Sequence, residues 1–338
     1  MDKKRKSAKK RRSALFKLLV LLIILGFVTF VYCAQHNVQP LDAFRYLLGI
    51  VDKLPQLELA PTPSPTPGGP VFVSGDITAQ DGLHAYVLDV GQGDCTFLRS
   101  PAGRTMLIDA GERGYYPAIA AFLRKQGVKK LDVVVATHPD SDHIGSMPDI
   151  IDNFEIGAFY MPDVENTTST FESMLAALER RSGPTYAAYG GKDVSLDWDS
   201  TVTVDVLSPL KNVRHEDLND WSIVLRVTYG KTAILLTGDA EAHAEEAMLA
   251  NLSRARFAAT VLCLGHHGSS TSTTDAFLRA VNPSLVIASV GAGNSYGHPH
   301  AQTLEKLRKQ GIPLLRTDES GTIHIYLSGE KVQAETEK

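Results

Sequence analysis

Apolar and polar positions divide the chain into three stretches of different character. Residues 18–34 run for 17 positions without a charge, at the lower limit for crossing a bilayer. Residues 14–16 extend the run if Lys17 lays its aliphatic stem along it and keeps its ammonium at the interface. Residues 35–59 are mixed, with a short amphipathic pattern over 41–54. Residues 60–70 read APTPSPTPGGP, a composition that favours extended polyproline II and cannot pack a core. From Val71 onward short apolar runs alternate with segments of helical period. The pattern predicts strands over 84–90, 96–99, 105–109, 131–137, 156–160, 202–207, 223–229 and 232–237, then over 260–264, 285–289, 313–316 and 322–326. It predicts helices over 116–126, 169–181, 241–250, 275–280 and 302–310. Strands come in pairs early and alternate with helices later. The expected class is therefore α/β, with two mixed sheets and helices outside.

Charge changes this picture at one end. The chain of 338 residues has a net charge of -4, but residues 1–17 hold nine Lys/Arg and one Asp. That leaves 25 basic against 37 acidic residues, net -12, for the remainder. A basic block before an apolar run predicts a cytoplasmic N-terminus (1–13), a membrane anchor (14–34) and a stalk (35–70) that holds an extracellular domain (71–330), with a polar tail at 331–338. A cleaved signal peptide competes with the anchor. The long basic block and the lack of a small-x-small site argue against cleavage. So acidic a domain has no global attraction for nucleic acid, so affinity for phosphate has to come from a local site or bound metal. Cys33, Cys95 and Cys263 form no CxxC pair and are too few for a disulfide framework.

Three apolar runs end in metal-type ligands. LDVVVAT leads into HPDSDHIG, which offers His138, Asp140, Asp142 and His143. Just past a strand end, alternate residues can converge on one point while the adjacent pair serves a second, a supply for two cations. AILLTGDA ends on Asp239, and VLCLGHHGSS ends on His266 and His267. HPDSDH alone could be a polar turn, and Asp239 alone a helix cap. Three such strand ends in one chain are how α/β sites are built.

The chain resembles the metallo-β-lactamase-fold hydrolases, and within them the extracellular domain of ComEC-type DNA-internalisation competence proteins. The shared signatures are LDVGQGD (88–94), LIDAG (107–111), THPDSDHIG (137–145), NDWSIVLRV (219–227), LLTGD (235–239), HHGSSTS (266–272), NSYGHPH (294–300) and RTDESGTI (316–323), in family order. The resemblance implies an αββα sandwich with two divalent metal ions, Zn2+ or Mn2+. His138 and Asp140 would hold one, Asp142 and His143 the other, with Asp239 as bridge. One of His266 and His267 would complete the second site. Metallo-β-lactamases proper carry His where this chain has Asp140, and the harder oxygen ligand favours manganese relative to zinc and argues against β-lactam hydrolysis. Competence proteins of this type also carry a multi-span channel, whereas this chain shows one apolar run, which implies a stand-alone hydrolase with its own anchor.

The expected chemistry is hydrolysis of a phosphodiester, with DNA as the foremost substrate. Two metals sharing a carboxylate lower the pKa of a shared water toward ~7, and the hydroxide attacks phosphorus in line. Asp142, His267 and His298 are the catalytic candidates, His298 or the second His of the pair protonating the leaving group. Asn219, Ser269, Ser270 and Asn294 are candidates for binding substrate, and Asp89, Asp94 and Asp109 for bracing the loops. His298 is equally a loop histidine, and Asn219 a turn former. Other readings are a hydrolase of a cell-wall or small-molecule phosphodiester, similar to phosphorylcholine esterases, and a catalytically silent surface-binding module. The membrane is expected as a partner through residues 14–34, and no protein partner is expected.

Overall fold

The computed structural model describes residues 71–73, 77 and 81–338. These lie in the second of two units, Ser64–Lys338. The basic block, the apolar run, the whole stalk and Cys33 lie outside the described residues. Among the described residues no helix is long and apolar enough to cross a membrane.

Strands β1 (Val71–Val73), β2 (Leu83–Val87), β3 (Thr96–Arg99), β4 (Thr105–Ile108), β5 (Lys130–Val135), β6 (Glu155–Met161) and β7 (Thr185–Ala187) open a first sheet. A second sheet follows with β8 (Ser195–Asp199), β9 (Val202–Ser208), β10 (Val224–Tyr229), β11 (Thr232–Leu236), β12 (Val261–Cys263), β13 (Leu285–Ala288) and β14 (Leu314–Arg316). The chain then returns to the first sheet as β15 (Ile323–Leu327) and β16 (Val332–Thr336). The orders are β1-β16-β15-β2-β3-β4-β5-β6-β7 and β14-β13-β12-β11-β10-β9-β8. Each sheet has a parallel half, β4 to β7 and β11 to β14. Parallel neighbours need crossovers. Helices α1 (Tyr116–Lys125), α2 (Ser141–Ile144), α3 (Met147–Asn153), α4 (Ser169–Arg180), α5 (Ala242–Asn251), α6 (Asp275–Val281) and α7 (Ala301–Gln310) supply them, and α8 (Thr317–Ser320) is a final short turn.

The layers follow from the side chains. In β5, Val133 and Val135 enter the core between the sheets, while Val134, and Ala136 just past the strand, face the helices. A strand buried on both faces has to be apolar throughout, which is why LDVVVA reads as an unbroken run. Fully burying one such valine is worth roughly 1.5–3 kcal/mol. Ile234 and Leu236 of β11 meet the first sheet's inner face, and Ala233 and Leu235 turn to the other helical layer. The helices are bounded by local chemistry. Thr168 and Thr274 accept the backbone N–H of Phe171 and Phe277, and α7 ends on Gly311 at φ 66°. The result is an αββα sandwich.

The structure departs from the sequence reading at the margins. The segment read as a polar tail, 331–338, contains β16: Val332 and Ala334 are fully buried, and only the intervening polar residues hide the alternation. β7 is a fully exposed three-residue edge with no apolar signal. β8 buries only Leu196 and Trp198 amid acids. Residues 88–90 leave the strand rather than extending β2, which ends at Val87. Cys95 and Cys263 are unpaired, the first buried and the second partly so.

Candidate metal centre

The parallel halves of the two sheets end along one edge, and their C-terminal ends carry the polar residues. Asp109 follows β4, His138 follows β5, Asp239 follows β11, and His266 and His267 follow β12. Such ends are where open α/β sheets place ligands. Four imidazoles meet there, each with Nδ1 held by the protein. His143 Nδ1 lies 2.8 Å from Asp109 Oδ2, and His267 Nδ1 lies 3.0 Å from the Ser289 carbonyl. His266 Nδ1 lies 2.9 Å from Glu241 Oε1. Carbonyls and carboxylates only accept, so Nδ1 carries the proton in all three. His138 Nδ1 lies 3.2 Å from Thr137 Oγ1 and 3.4 Å from Ser222 Oγ. The Thr137 hydroxyl donates its own proton to Asp109 Oδ2 at 2.6 Å, so it accepts from His138.

The Nε2 atoms then face one carboxylate. His143 Nε2 is 3.2 Å from Asp239 Oδ1. His267, His266 and His138 Nε2 are 3.6, 3.7 and 3.9 Å from Asp239 Oδ2. Asp142 Oδ2 stands 3.2 Å from His267 Nε2, and Asp140 Oδ2 3.8 Å from His138 Nε2. The ligand atoms of Asp142, His143, Asp239 and His267 lie within 4.8 Å of one another. The two oxygens of Asp239 thus face different neighbours. Its backbone N–H is held by Ser222 Oγ at 3.0 Å.

A divalent cation fits these residues. His138 Nε2, His143 Nε2 and Asp239 Oδ1 are buried and make no hydrogen bond of proper geometry, despite the 3.2 Å approach of the last two. An unsatisfied buried polar atom costs about 1–3 kcal/mol. Three at one point are explained by a ligand that takes lone pairs. The charges agree. Burial, then the neighbouring His143, pushes His138 down to about 3 and leaves its lone pair free. Burial would raise Asp142, but His143 and His267 outweigh it and hold the acid at about 2. Burial likewise opposes ionisation of Asp239, which the imidazoles of His143 and His267 drive well below the usual carboxylate range. Asp142 and Asp239 are thus held in the ionised form that metal ligands need, whereas burial raises Asp140.

Residues 88–291 match the sequence profile of the Metallo-beta-lactamase superfamily. The chain belongs to this superfamily. Competence protein ComA of Neisseria gonorrhoeae is 34% identical over 254 residues, covering 74% of this chain and 33% of that protein. ComE operon protein 3 of Bacillus subtilis is 32% identical over 254 residues, covering 70% and 32%. The chain therefore spans about a third of the length of these curated relatives. Among solved structures, the metallo-beta-lactamase fold protein YhfI of Bacillus subtilis aligns over 70% of this chain and 96% of its own, at 12% identity and a TM-score of 0.44. The superfamily is one of metal-dependent hydrolases, and its fold implies divalent metal binding at the cluster described.

Within this superfamily fold the remaining residues divide. Of the histidine pair, His267 is the one beside Asp142. Asp109 braces His143, and its Oδ1 accepts the Thr137 backbone N–H at 2.7 Å. Asp94 packs its loop on Asp142, whose carbonyl accepts the Asp94 N–H at 3.1 Å. Gly93 permits this approach: at φ 138°, a Cβ there would meet the Asp142 carbonyl oxygen at 2.3 Å. Asp89 stays in its own turn, accepting from the Gly91 N–H, with Lys338 3.6 Å away. Asn219 joins Glu241 at 3.4 Å rather than the ligands of the Asp142 side. Ser269 is buried against Thr271 at 2.8 Å, and Ser270 is exposed, its N–H donating to His300 Nδ1. Asn294 spends its amide on the loop, donating to the Gly291 and His298 carbonyls and accepting the His298 N–H. His298 lies 5.3 Å from His266 and 6.2 Å from His267, ring to ring, with Nδ1 unpartnered. Burial, then His266 and His267, pushes it down to about 4, so at neutral pH the ring is neutral and has no imidazolium proton to give a leaving group. Thr137, Ser222 and Glu241 escaped the sequence reading. The first two lie inside the motifs THPDSDHIG and NDWSIVLRV, and Glu241 lies two residues past LLTGD.

Proposed function

We propose that this chain is a two-metal phosphodiesterase that cleaves DNA at the outer face of a membrane to which residues 14–34 anchor it. The observation that carries the catalytic part is the set of imidazoles with Nδ1 anchored and Nε2 turned on Asp239, two of them with buried nitrogens that lack any hydrogen-bond partner. His138 and Asp140 would hold one divalent cation, Asp142, His143 and His267 the other, and Asp239 would stand between them. Bound there, the cations would supply a water acidic enough to ionise near neutral pH and positive charge to offset the negative charge developing on the phosphate oxygens. The chain's own part is orientation. Asp109 and Ser289 fix the tautomers of His143 and His267. His298, neutral and with Nδ1 free, is placed to accept a proton at the cluster's open side.

Asp140 supports a phosphodiester over a β-lactam by offering oxygen where the lactamases place nitrogen. The competence-protein names of the relatives support DNA. The net -12 of residues 18–338 favours a second reading, a small or cell-wall phosphodiester, because no broad basic surface would draw in a polyanion. The test uses the purified full-length chain with Mn2+ or Zn2+. Its substrates are single-stranded DNA, double-stranded DNA, bis-p-nitrophenyl phosphate and a phosphorylcholine ester. DNA cleavage that chelator abolishes, and that Asp142→Ala and Asp239→Ala reduce at least ~100-fold, is expected. Full activity in those variants would sink the proposal, and turnover of the choline ester without DNA would select the second reading.

A further inference from the structure

Glu241 organises one side of the cluster. Its Oε1 accepts from His266 Nδ1 at 2.9 Å, from the Thr271 hydroxyl at 2.8 Å and from the Asn219 amide at 3.4 Å. Three donors on one oxygen pin the carboxylate, and the carboxylate keeps the His266 proton on Nδ1. The Nε2 lone pair is left facing inward, 3.7 Å from Asp239 Oδ2. The backbone contributes as well. His266 and His267 both sit in the left-handed region, at φ 49° and 54°. For residues with a Cβ that conformation is strained, and strain of this kind collects at functional sites. Its effect here is that two consecutive rings both bring Nε2 within 3.7 Å of the same carboxylate oxygen.

The two halves of the cluster are unequally supplied without His266. Asp142, His143, His267 and Asp239 make four ligands on one side. His138 and Asp140 have only Asp239 with them on the other, and His138 Nε2 is buried without a hydrogen-bond partner. We infer that His266 is the fourth protein ligand of the His138–Asp140 position, so that the two imidazoles of the pair serve different cations, and that Glu241 is its positioning residue. A carboxylate behind a ligating imidazole fixes ring and tautomer and raises the basicity of the ligand. Asn219 and Thr271 then act one step further out, by holding Glu241. The inference rests on the two-metal reading above, and the metal count separates their failures.

The experiment titrates metal-free full-length chain with Mn2+ or Zn2+ alone, read by calorimetry and elemental analysis, in wild type, His266→Ala, Glu241→Gln and His267→Ala. Wild type should take up two equivalents. His266→Ala should keep one at wild-type affinity and weaken the other at least tenfold. Glu241→Gln, which removes a charge and no volume, should weaken that same equivalent about 10–100-fold. His267→Ala should weaken the opposite one, so that it and His266→Ala combine to weaken both. Two equivalents at wild-type affinity in His266→Ala would overturn the ligand assignment, and unchanged affinity in Glu241→Gln would overturn its positioning role. Should His266→Ala fail to fold, the Gln variant decides. A wild-type chain that binds fewer than two equivalents overturns the two-metal reading and this inference with it.

Discussion

Asp109 sits at φ 58° and is 1% exposed, an uncommon state for an acid. Its two oxygens explain why it is kept. One accepts the Thr137 N–H, and the other accepts from the Thr137 hydroxyl and from His143 Nδ1. A single carboxylate thereby orients His143 directly and His138 through Thr137. Asparagine is the side chain that separates charge from shape here, because it tolerates the left-handed region almost as Asp does. Asp109→Asn should keep the backbone, lose the acceptor that holds the Nδ1 proton of His143, and lower metal affinity about 10–100-fold. Mn2+ or Zn2+ titration of the variant checks this, and wild-type affinity would show that Asp109 only closes the turn. The Asp and His residues that cluster were legible in the sequence because they follow unbroken apolar runs. Thr137, Ser222 and Glu241 were not, since one hydroxyl or one acid near a strand end has no pattern of its own. The division of labour between His266 and His267 depends on two left-handed residues in succession, which no spacing reveals.

At the scale of elements, what was legible is what is buried on both faces. Strands β5, β11, β12 and β13 read as apolar runs because a sheet or a helix covers each side. The edge strands β7 and β8, and β16 next to the edge, are short or half-exposed and did not. One pair of strands also carries a pH dependence of its own. His84 of β2 and His324 of β15 approach to 2.9 Å, Nδ1 to Nε2, and His324 stacks on Tyr86 at 4.1 Å. Burial, then His84, pushes His324 down to about 4, although Glu335 lies 3.6 Å away. The unfolded chain has the ordinary value of about 6.5 and takes up the proton first. The stability from a neutral His324 is therefore full above pH 6.5 and is lost as pH falls toward 4. Between pH 7 and 4.5 the loss should be about 2–3 kcal/mol. Urea unfolding at both values, in wild type and His324→Gln, measures it. Equal pH dependence in the two proteins would refute the assignment.

For the molecule as a whole, the cluster ties the two sheets together. Asp109, His138, Asp142 and His143 hang on the first sheet through β4 and β5, and Asp239, His266 and His267 on the second through β11 and β12. Between these sheets lies a core of aliphatic side chains, which is non-directional and holds area without fixing register. The clustered side chains add direction at one edge, where a cation held at Asp239 would cross-link the ends of two parallel half-sheets. Binding to the folded chain alone stabilises it by mass action, about 4 kcal/mol at a thousandfold excess over Kd. For a domain of this size that corresponds to a rise in Tm on the order of 10 °C. Melting of the full-length chain with Mn2+ or Zn2+ against melting with chelator should show that difference. Asp239→Ala should abolish most of it, because the residue that faces both halves is gone, whereas His298→Ala should leave it intact, because His298 stands beyond the ligands. The same Tm with and without metal in wild type would mean that the sandwich edge closes without a cation, and that the unpartnered buried nitrogens of His138 and His143 are tolerated by the core alone.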